Sequence, residues 1–206
     1  MKKLLTIAAM SVIALSATAN ANLLVNAGFE DGEAGGINEV AIPGWTPWWD
    51  AGKVYDENEA TPRPTFGDQA LMFWWDTGGI FQDVTIEGGD TLNWGVMAQT
   101  PSDDQSTWNG LCKMEFFNSA DMGNMLAVEE IKFMPAEQPA DEWVKISSTT
   151  IAPENADVAR IVLLVTDWVD GAHGIVLFDN AFIAVPEPAS LVLLGLGGLT
   201  MLRRRK

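Results

Sequence analysis

The sequence predicts an all-β chain. A jelly-roll β-sandwich occupies residues 22–185, framed by an N-terminal signal peptide and a short C-terminal transmembrane helix. Two observations carry the fold class. Short apolar or alternating runs recur between turns rich in Gly, Pro and Asp, and almost no stretch between them has helical periodicity. A third sets the frame: the two uninterrupted apolar segments lie at the chain ends, where they read as addresses.

The elements follow in order. Met1-Lys2-Lys3 is a basic start, Leu4 to Leu15 an apolar run, and Ala19-Asn20-Ala21 an A-x-A cleavage site. Residues 1–21 therefore read as a signal peptide for signal peptidase, with a mature chain beginning at Asn22. Candidate strands are Leu23–Asn26, Trp45–Trp49, Ala70–Trp74, Gly79–Ile86, Thr91–Thr100, Leu111–Phe117, Glu142–Ile151, Arg160–Thr166 and Gly174–Ala184. Asp31-Gly32, Pro43-Gly44, Gly88-Gly89-Asp90 and Asp170-Gly171 mark turns. Leu92, Trp94, Val96 and Ala98 share one strand face, and Asn93, Gly95, Met97 and Gln99 share the other, as in a half-buried antiparallel strand. Ile161 to Val165 is apolar on both faces and reads as central. Only Asn124–Phe133 has helical character, closed by Pro135. About nine short strands without a strong helix give a jelly-roll sandwich.

The tail begins at Pro186. Pro186-Glu187-Pro188 is a stiff break, Ala189 to Leu202 an apolar run of 14 residues, and Arg203-Arg204-Arg205-Lys206 a basic stop. As a helix the run spans roughly 21 Å at about 1.5 Å per residue. It enters a bilayer core of about 30 Å but spans it only with thinning or snorkelling. The cations would stay cytoplasmic.

Charge and cysteine bound the function. The chain holds 12 basic and 28 acidic residues. Six of the basic ones (Lys2, Lys3, Arg203, Arg204, Arg205, Lys206) sit in the two addresses, so a body taken through Pro188 carries 6 against 28, near −22. That argues against nucleic acid and anionic lipid as partners. Cys112 is the only cysteine, so export into an oxidising compartment brings no internal disulfide. It alternates with Lys113 and Glu115 and falls on one face with Met114 and Phe116, as a buried thiol.

Two resemblances follow from these residues. Val185-Pro186-Glu187-Pro188, the run Leu194-Gly195-Leu196-Gly197-Gly198-Leu199 and Arg203, Arg204 and Arg205 together resemble the PEP-CTERM sorting signal of Gram-negative bacteria. The resemblance implies processing by an exosortase, export through the inner membrane, and release or anchoring at the cell envelope among extracellular polysaccharide. In the body, Asn22-Leu23-Leu24-Val25-Asn26-Ala27-Gly28-Phe29-Glu30 is similar to the opening strand of galactose-binding-like jelly rolls, which include many carbohydrate-binding modules. Pro43-Gly44-Trp45, Phe81-Gln82-Asp83-Val84, Gly89-Asp90-Thr91-Leu92 and Phe178-Asp179-Asn180-Ala181 continue the likeness. In such modules the first and last strands lie side by side and an acidic residue on each helps hold a structural calcium. Glu30 and Asp179 take those places, with loop carbonyls near Gly32 or Lys53 as further ligands. Two solvated carboxylates flanking a turn are the competing reading.

A sugar site needs aromatic faces beside donors and acceptors. Nine tryptophans accompany one tyrosine. Trp48-Trp49 and Trp74-Trp75 are adjacent pairs, of which one member can point outward when extended. Trp108 lies in a polar loop with Asp103, Asp104, Gln105 and Asn109, and Trp168 lies beside Asp167 and Asp170. Trp48, Trp74, Trp108, Trp168, Asp104 and Asn109 are thus the candidate sugar-binding residues; packing or contact with a surface partner competes. Trp45, Trp94 and Trp143 read as core or edge packing. No catalytic set is recognisable: His173 is the only histidine, no serine sits in a G-x-S-x-G elbow, and neither a phosphate-binding glycine loop nor H-E-x-x-H occurs. The expectation is an exported non-catalytic protein that contacts polysaccharide. A structural matrix or biofilm protein without a sugar site is one rival, and a cryptic glycoside-active enzyme is another.

Overall fold

Eleven strands form two antiparallel sheets in the computed structural model, which describes residues 21–48, 52–56, 64–65, 67–74, 78–166 and 173–186. They are β1 (Gly35–Gly36), β2 (Thr46–Pro47), β3 (Gly52–Asp56), β4 (Gln69–Trp74), β5 (Gly79–Thr85), β6 (Thr91–Gln99), β7 (Asn109–Phe117), β8 (Ala127–Phe133), β9 (Val144–Ile151), β10 (Val158–Thr166) and β11 (Ile175–Ala184). The six-stranded sheet runs β1-β3-β4-β11-β6-β9 and the five-stranded sheet β2-β5-β10-β7-β8. Asn22–Ala184 make up one compact unit. The signal peptide up to Asn20 and the membrane run Ala189 to Leu202 lie outside the described residues. Among those described, no helix is long and apolar enough to cross a membrane.

Alternation decides what is core. Leu92, Trp94, Val96 and Ala98 of β6 all point inward and are fully buried, as their period of two requires. Cys112, Met114 and Phe116 of β7 do the same on the facing sheet. Phe73 and Phe178 meet edge to face at 6.1 Å on the inner side of the six-stranded sheet. β10 lies mid-sheet between β5 and β7, which accounts for its run of apolar residues on both faces.

The structure corrects three elements. Ala127–Phe133, inside the stretch expected to be helical, is strand β8. Its register pairs Ile131 with Cys112 and Phe133 with Gly110, and this ladder outweighs the helix preference of Glu129, Glu130 and Lys132. A single 3-10 turn, Pro135–Glu137, follows. Leu23–Asn26 is no strand, because side chains take the ladder's place. Val25 N–H donates to Gln82 Oε1 at 2.7 Å, and Gln82 Nε2 donates to Val25 C=O at 2.9 Å. Asn22 similarly clips Ala181 and Ile183 of β11. β3 was not foreseen: it opens on the turn-like Gly52, and its apolar Val54 and Tyr55 are adjacent rather than alternating.

Candidate functional site

Two rows of side chains cross the solvent face of the five-stranded sheet. The register sets Phe81, Val162, Lys113 and Glu130 abreast, and beside them Asp83, Arg160, Glu115 and Val128. Opposed residues share a face, so each row is a contiguous surface strip. Lys113 pairs with Glu130 at 2.9 Å. Arg160 grips Asp83 with both arms, Nε to Oδ1 at 2.6 Å and Nη2 to Oδ2 at 2.9 Å. Its guanidinium also lies 4.0 Å from the Phe81 ring centroid and 4.9 Å from that of Phe117. These bonds hold the plane of the cation, and the Asp83 hydrogen bonds raise its pKa further.

Trp48 closes one side. It follows the two-residue strand β2, and its N–H donates to Gly79 C=O at 3.2 Å. The indole rests over Gly79, where a Cβ would come within 2.5 Å of Cη2. Glycine at position 79 therefore makes the seat for the ring. The Trp48 and Phe81 rings are 6.1 Å apart and tilted by 33°, and Trp48 keeps 42% of its surface exposed. Trp48, Phe81, Glu115, Arg160 and Val162 enclose a cleft of about 300 Å³. Burial raises the Glu115 pKa; Arg160 and Lys113 oppose that shift, and Asp83 and Glu130 add to it. With Asp83 engaged by Arg160, Glu115 is the carboxylate lining the cleft.

The expected sugar-binding residues do not meet in one place. Trp48 is at this cleft. Trp74 is half-buried on the outer face of the other sheet, packed with Trp143 and Ile175 against Tyr55, Met72 and Leu177. Trp108 is a correction: it is 1% exposed and belongs to the interior. Ser106 explains why, since it turns the loop inward by accepting from Trp108 N–H at its hydroxyl and donating its own N–H to Thr100 Oγ1. Asp104 is exposed at a separate loop cleft beside Asp103, Gln105 and His173. Asn109 is half-buried at the start of β7, opposite Thr166. Trp168 lies outside the described residues. Phe81, Asp83, Glu115 and Arg160 were missed as site residues; only their outward strand parity pointed to them.

Glu30 and Asp179 do converge. A Cβ on Gly28 would sit 3.5 Å from Asn180 Oδ1, 3.6 Å from Asp179 Oδ1 and 3.8 Å from Glu30 Cγ. Three oxygen-bearing side chains thus surround one bare glycine. Asn26, Phe29 and Asn180 nearby take left-handed backbone conformations, with φ of 49°, 61° and 47°. Glu30 accepts from Asp68 and Gln69 N–H. Asp179, fully buried, accepts from Thr65 N–H, Thr65 Oγ1–H and Asn180 N–H. Calcium takes about six to eight oxygens. Among the described residues no group of three His, Cys, Asp or Glu side chains forms a metal cage.

The chain carries a PEP-CTERM protein-sorting motif at residues 184–206. The motif implies exosortase processing, export and cell-surface sorting in a Gram-negative bacterium. Of its residues Ala184, Val185 and Pro186 are described, while those from Glu187 on, with Pro188, Arg203, Arg204 and Arg205, lie outside the described residues. Among curated proteins none matches the chain in sequence. In fold it is similar to a family 16 carbohydrate-binding module, at 17% identity and TM-score 0.57 over 79% of this chain and 99% of that one. It is also similar to the enzymatically active domain of tailspike protein 4 from bacteriophage CBA120, at 17% identity and TM-score 0.56 over 80% of this chain and 21% of that one. An arabinose-bound α-L-arabinofuranosidase matches at 17% identity and TM-score 0.54, over 81% of this chain and 27% of its own. The chain thus spans nearly all of the module but only about a fifth of the tailspike domain. At such identity the likeness establishes the fold, a jelly-roll β-sandwich.

Proposed function

We propose that this chain is an exported, non-catalytic surface or matrix protein that holds polysaccharide in the cleft between Trp48 and Glu115. One observation carries the reading: an exposed indole and a phenylalanine ring stand beside a fixed guanidinium and a carboxylate on a single sheet face. The ring of a sugar has C–H patches that pack on aromatic faces, and hydroxyls that need both donors and acceptors. Arg160 can offer its remaining N–H groups, Glu115 its oxygens and Trp48 its indole N–H. The cleft volume of about 300 Å³ suits one or two sugar units along a chain. Trp48→Ala should weaken binding to an insoluble polysaccharide by about tenfold, near 1.4 kcal/mol, measured by depletion assay. Unchanged affinity in that variant would remove the cleft from consideration.

Calcium at Glu30 and Asp179 is the second part of the proposal. A cation there would tie the opening segment to β11 and neutralise a buried carboxylate. The melting temperature should then be higher in calcium than in chelator, and Glu30→Gln should abolish the difference. Identical melting curves for the native chain in both conditions would exclude the cation.

A further inference from the structure

The sandwich has four sheet edges, and three are blunted. β1 and β2 are two residues long, and β2 ends in Pro47. β8 carries Glu129, Glu130 and Lys132 along its length. These are the ordinary defences of an edge strand: shortness, proline and charge. β9 has only one of them, a single charge, Lys145, next to its start. It runs for eight residues, Val144–Ile151, at the end of the six-stranded sheet, and among the described residues only β6 pairs with it. From Ile146 to Ile151 it reads Ile-Ser-Ser-Thr-Thr-Ile, without a charge, proline or glycine, in a body near −22. Ser147 and Thr149 are exposed, and Ile151 is 69% exposed, more than any other large apolar side chain described.

We infer that β9 is an interface and that its occupant is the β9 strand of a second copy of this chain, paired antiparallel. The strand is complementary to itself. A two-fold axis perpendicular to the sheet keeps both cores on the same side, and such an axis must lie midway between the two copies of one residue. Ser148 lies nearest the middle of both the strand and its uncharged run. This register sets Ser147 opposite Thr149 on the outer face and Ile146 opposite Thr150 on the inner face, with Ser148 opposite its own mate. Hydroxyl pairs of this kind stabilise antiparallel neighbours. Lys145, the only charge on the strand, falls opposite Ile151 and away from its mate. The isologous pairing closes on itself, so it yields a dimer rather than a fibre. Continuation is confined to one sheet. β8 lies across the sandwich from β9, where its Glu129 accepts a hydrogen bond from Thr150 Oγ1, and its acidic side chains keep the five-stranded sheet from extending.

Cross-linking tests the register directly on the full chain in mild detergent. Ser148→Cys brings two thiols together at the axis, within the roughly 4.4–6.8 Å Cα separation a disulfide needs. Ile151→Cys leaves the two thiols six residues apart, about 20 Å at 3.4 Å per residue. The native Cys112 is fully buried and does not compete. Oxidation should link the Ser148→Cys chain into a dimer and leave the Ile151→Cys chain monomeric. Ser147→Lys with Thr149→Lys places like charges opposite each other twice, and should raise the dimer dissociation constant at least about tenfold in sedimentation, with an unchanged melting curve. Equal cross-linking at both positions, no cross-linking at Ser148→Cys, or a lysine variant that dimerises as the native chain does would each overturn the inference. A monomeric native chain that captures a strand from a different protein would overturn it too.

Discussion

Carboxylates in this protein are set by their immediate neighbours, and in opposite directions. Asp157 accepts the Ser119 hydroxyl and backbone N–H, both at 2.6 Å, and these bonds hold its pKa below the usual range. A depressed carboxylate adds stability above its unfolded value, near about 4, which is lost as pH falls through the folded one. Glu115 is raised by burial, so its contribution is full below the ordinary glutamate value and is lost as pH rises through the raised one. Ser119→Ala should therefore return Asp157 toward the ordinary value, and Glu115→Gln should flatten the stability slope just above the ordinary glutamate range. Carboxyl NMR titration and denaturation across pH check the pair. The sequence shows the acids but not these signs, because Ser119 lies 38 residues from Asp157 and the Asp83–Arg160 pairing exists only in the β5–β10 register. The same separation hid the cleft: Trp48 was legible as an outward aromatic, whereas Trp108 was misplaced because Ser106 turns its loop inward.

At the level of elements, the strands that could be read were those with a clean period of two. β6 and β7 kept their faces, and β10 its central place. β8 was misread because Ala127, Glu129, Ile131 and Phe133 alternate only when Glu129 is allowed inward toward the other sheet. Thr150 makes that possible. Its hydroxyl accepts from Trp94 Nε1 at 3.1 Å and donates to Glu129, joining β6, β9 and β8 across the sandwich. Trp94 is fully buried, so no water replaces a lost partner. Thr150→Val keeps the shape of the side chain but leaves the indole N–H and Glu129 without it. This substitution should destabilise the domain by about 1–3 kcal/mol, seen as a lower urea midpoint with an unchanged slope. Thr150→Ser keeps the hydroxyl and should avoid most of that loss. A Thr150→Val variant as stable as the native chain would show that the relay contributes nothing.

Across the whole molecule the charges are sorted by place. The described body cations, Lys53, Lys113, Lys132, Lys145 and Arg160, all sit on strands. Lys113 and Arg160 pair with Glu130 and Asp83 on the five-stranded face. Acids such as Asp103, Asp104, Asp121, Asp141, Glu142 and Glu154 occupy the connecting loops. The cleft face is thus nearly balanced, while the rim and the body as a whole remain strongly negative. Two consequences follow from Coulomb's law with screening. Self-repulsion lowers stability most at low ionic strength, where the Debye length is about 30 Å at 0.01 M, compared with about 8 Å at 0.15 M. The melting temperature should therefore rise with added salt. Approach of a polymer depends on its own charge: a neutral glycan feels no net force from the rim, whereas a polyuronate is repelled before it reaches Trp48. Depletion by a neutral polysaccharide should change little between these two salt concentrations, and depletion by a polyuronate should be weak at the lower and stronger at the higher. Tight polyuronate binding at low salt would mean that the sheet face presents a positive surface, contrary to the pairing of Arg160 with Asp83 and of Lys113 with Glu130.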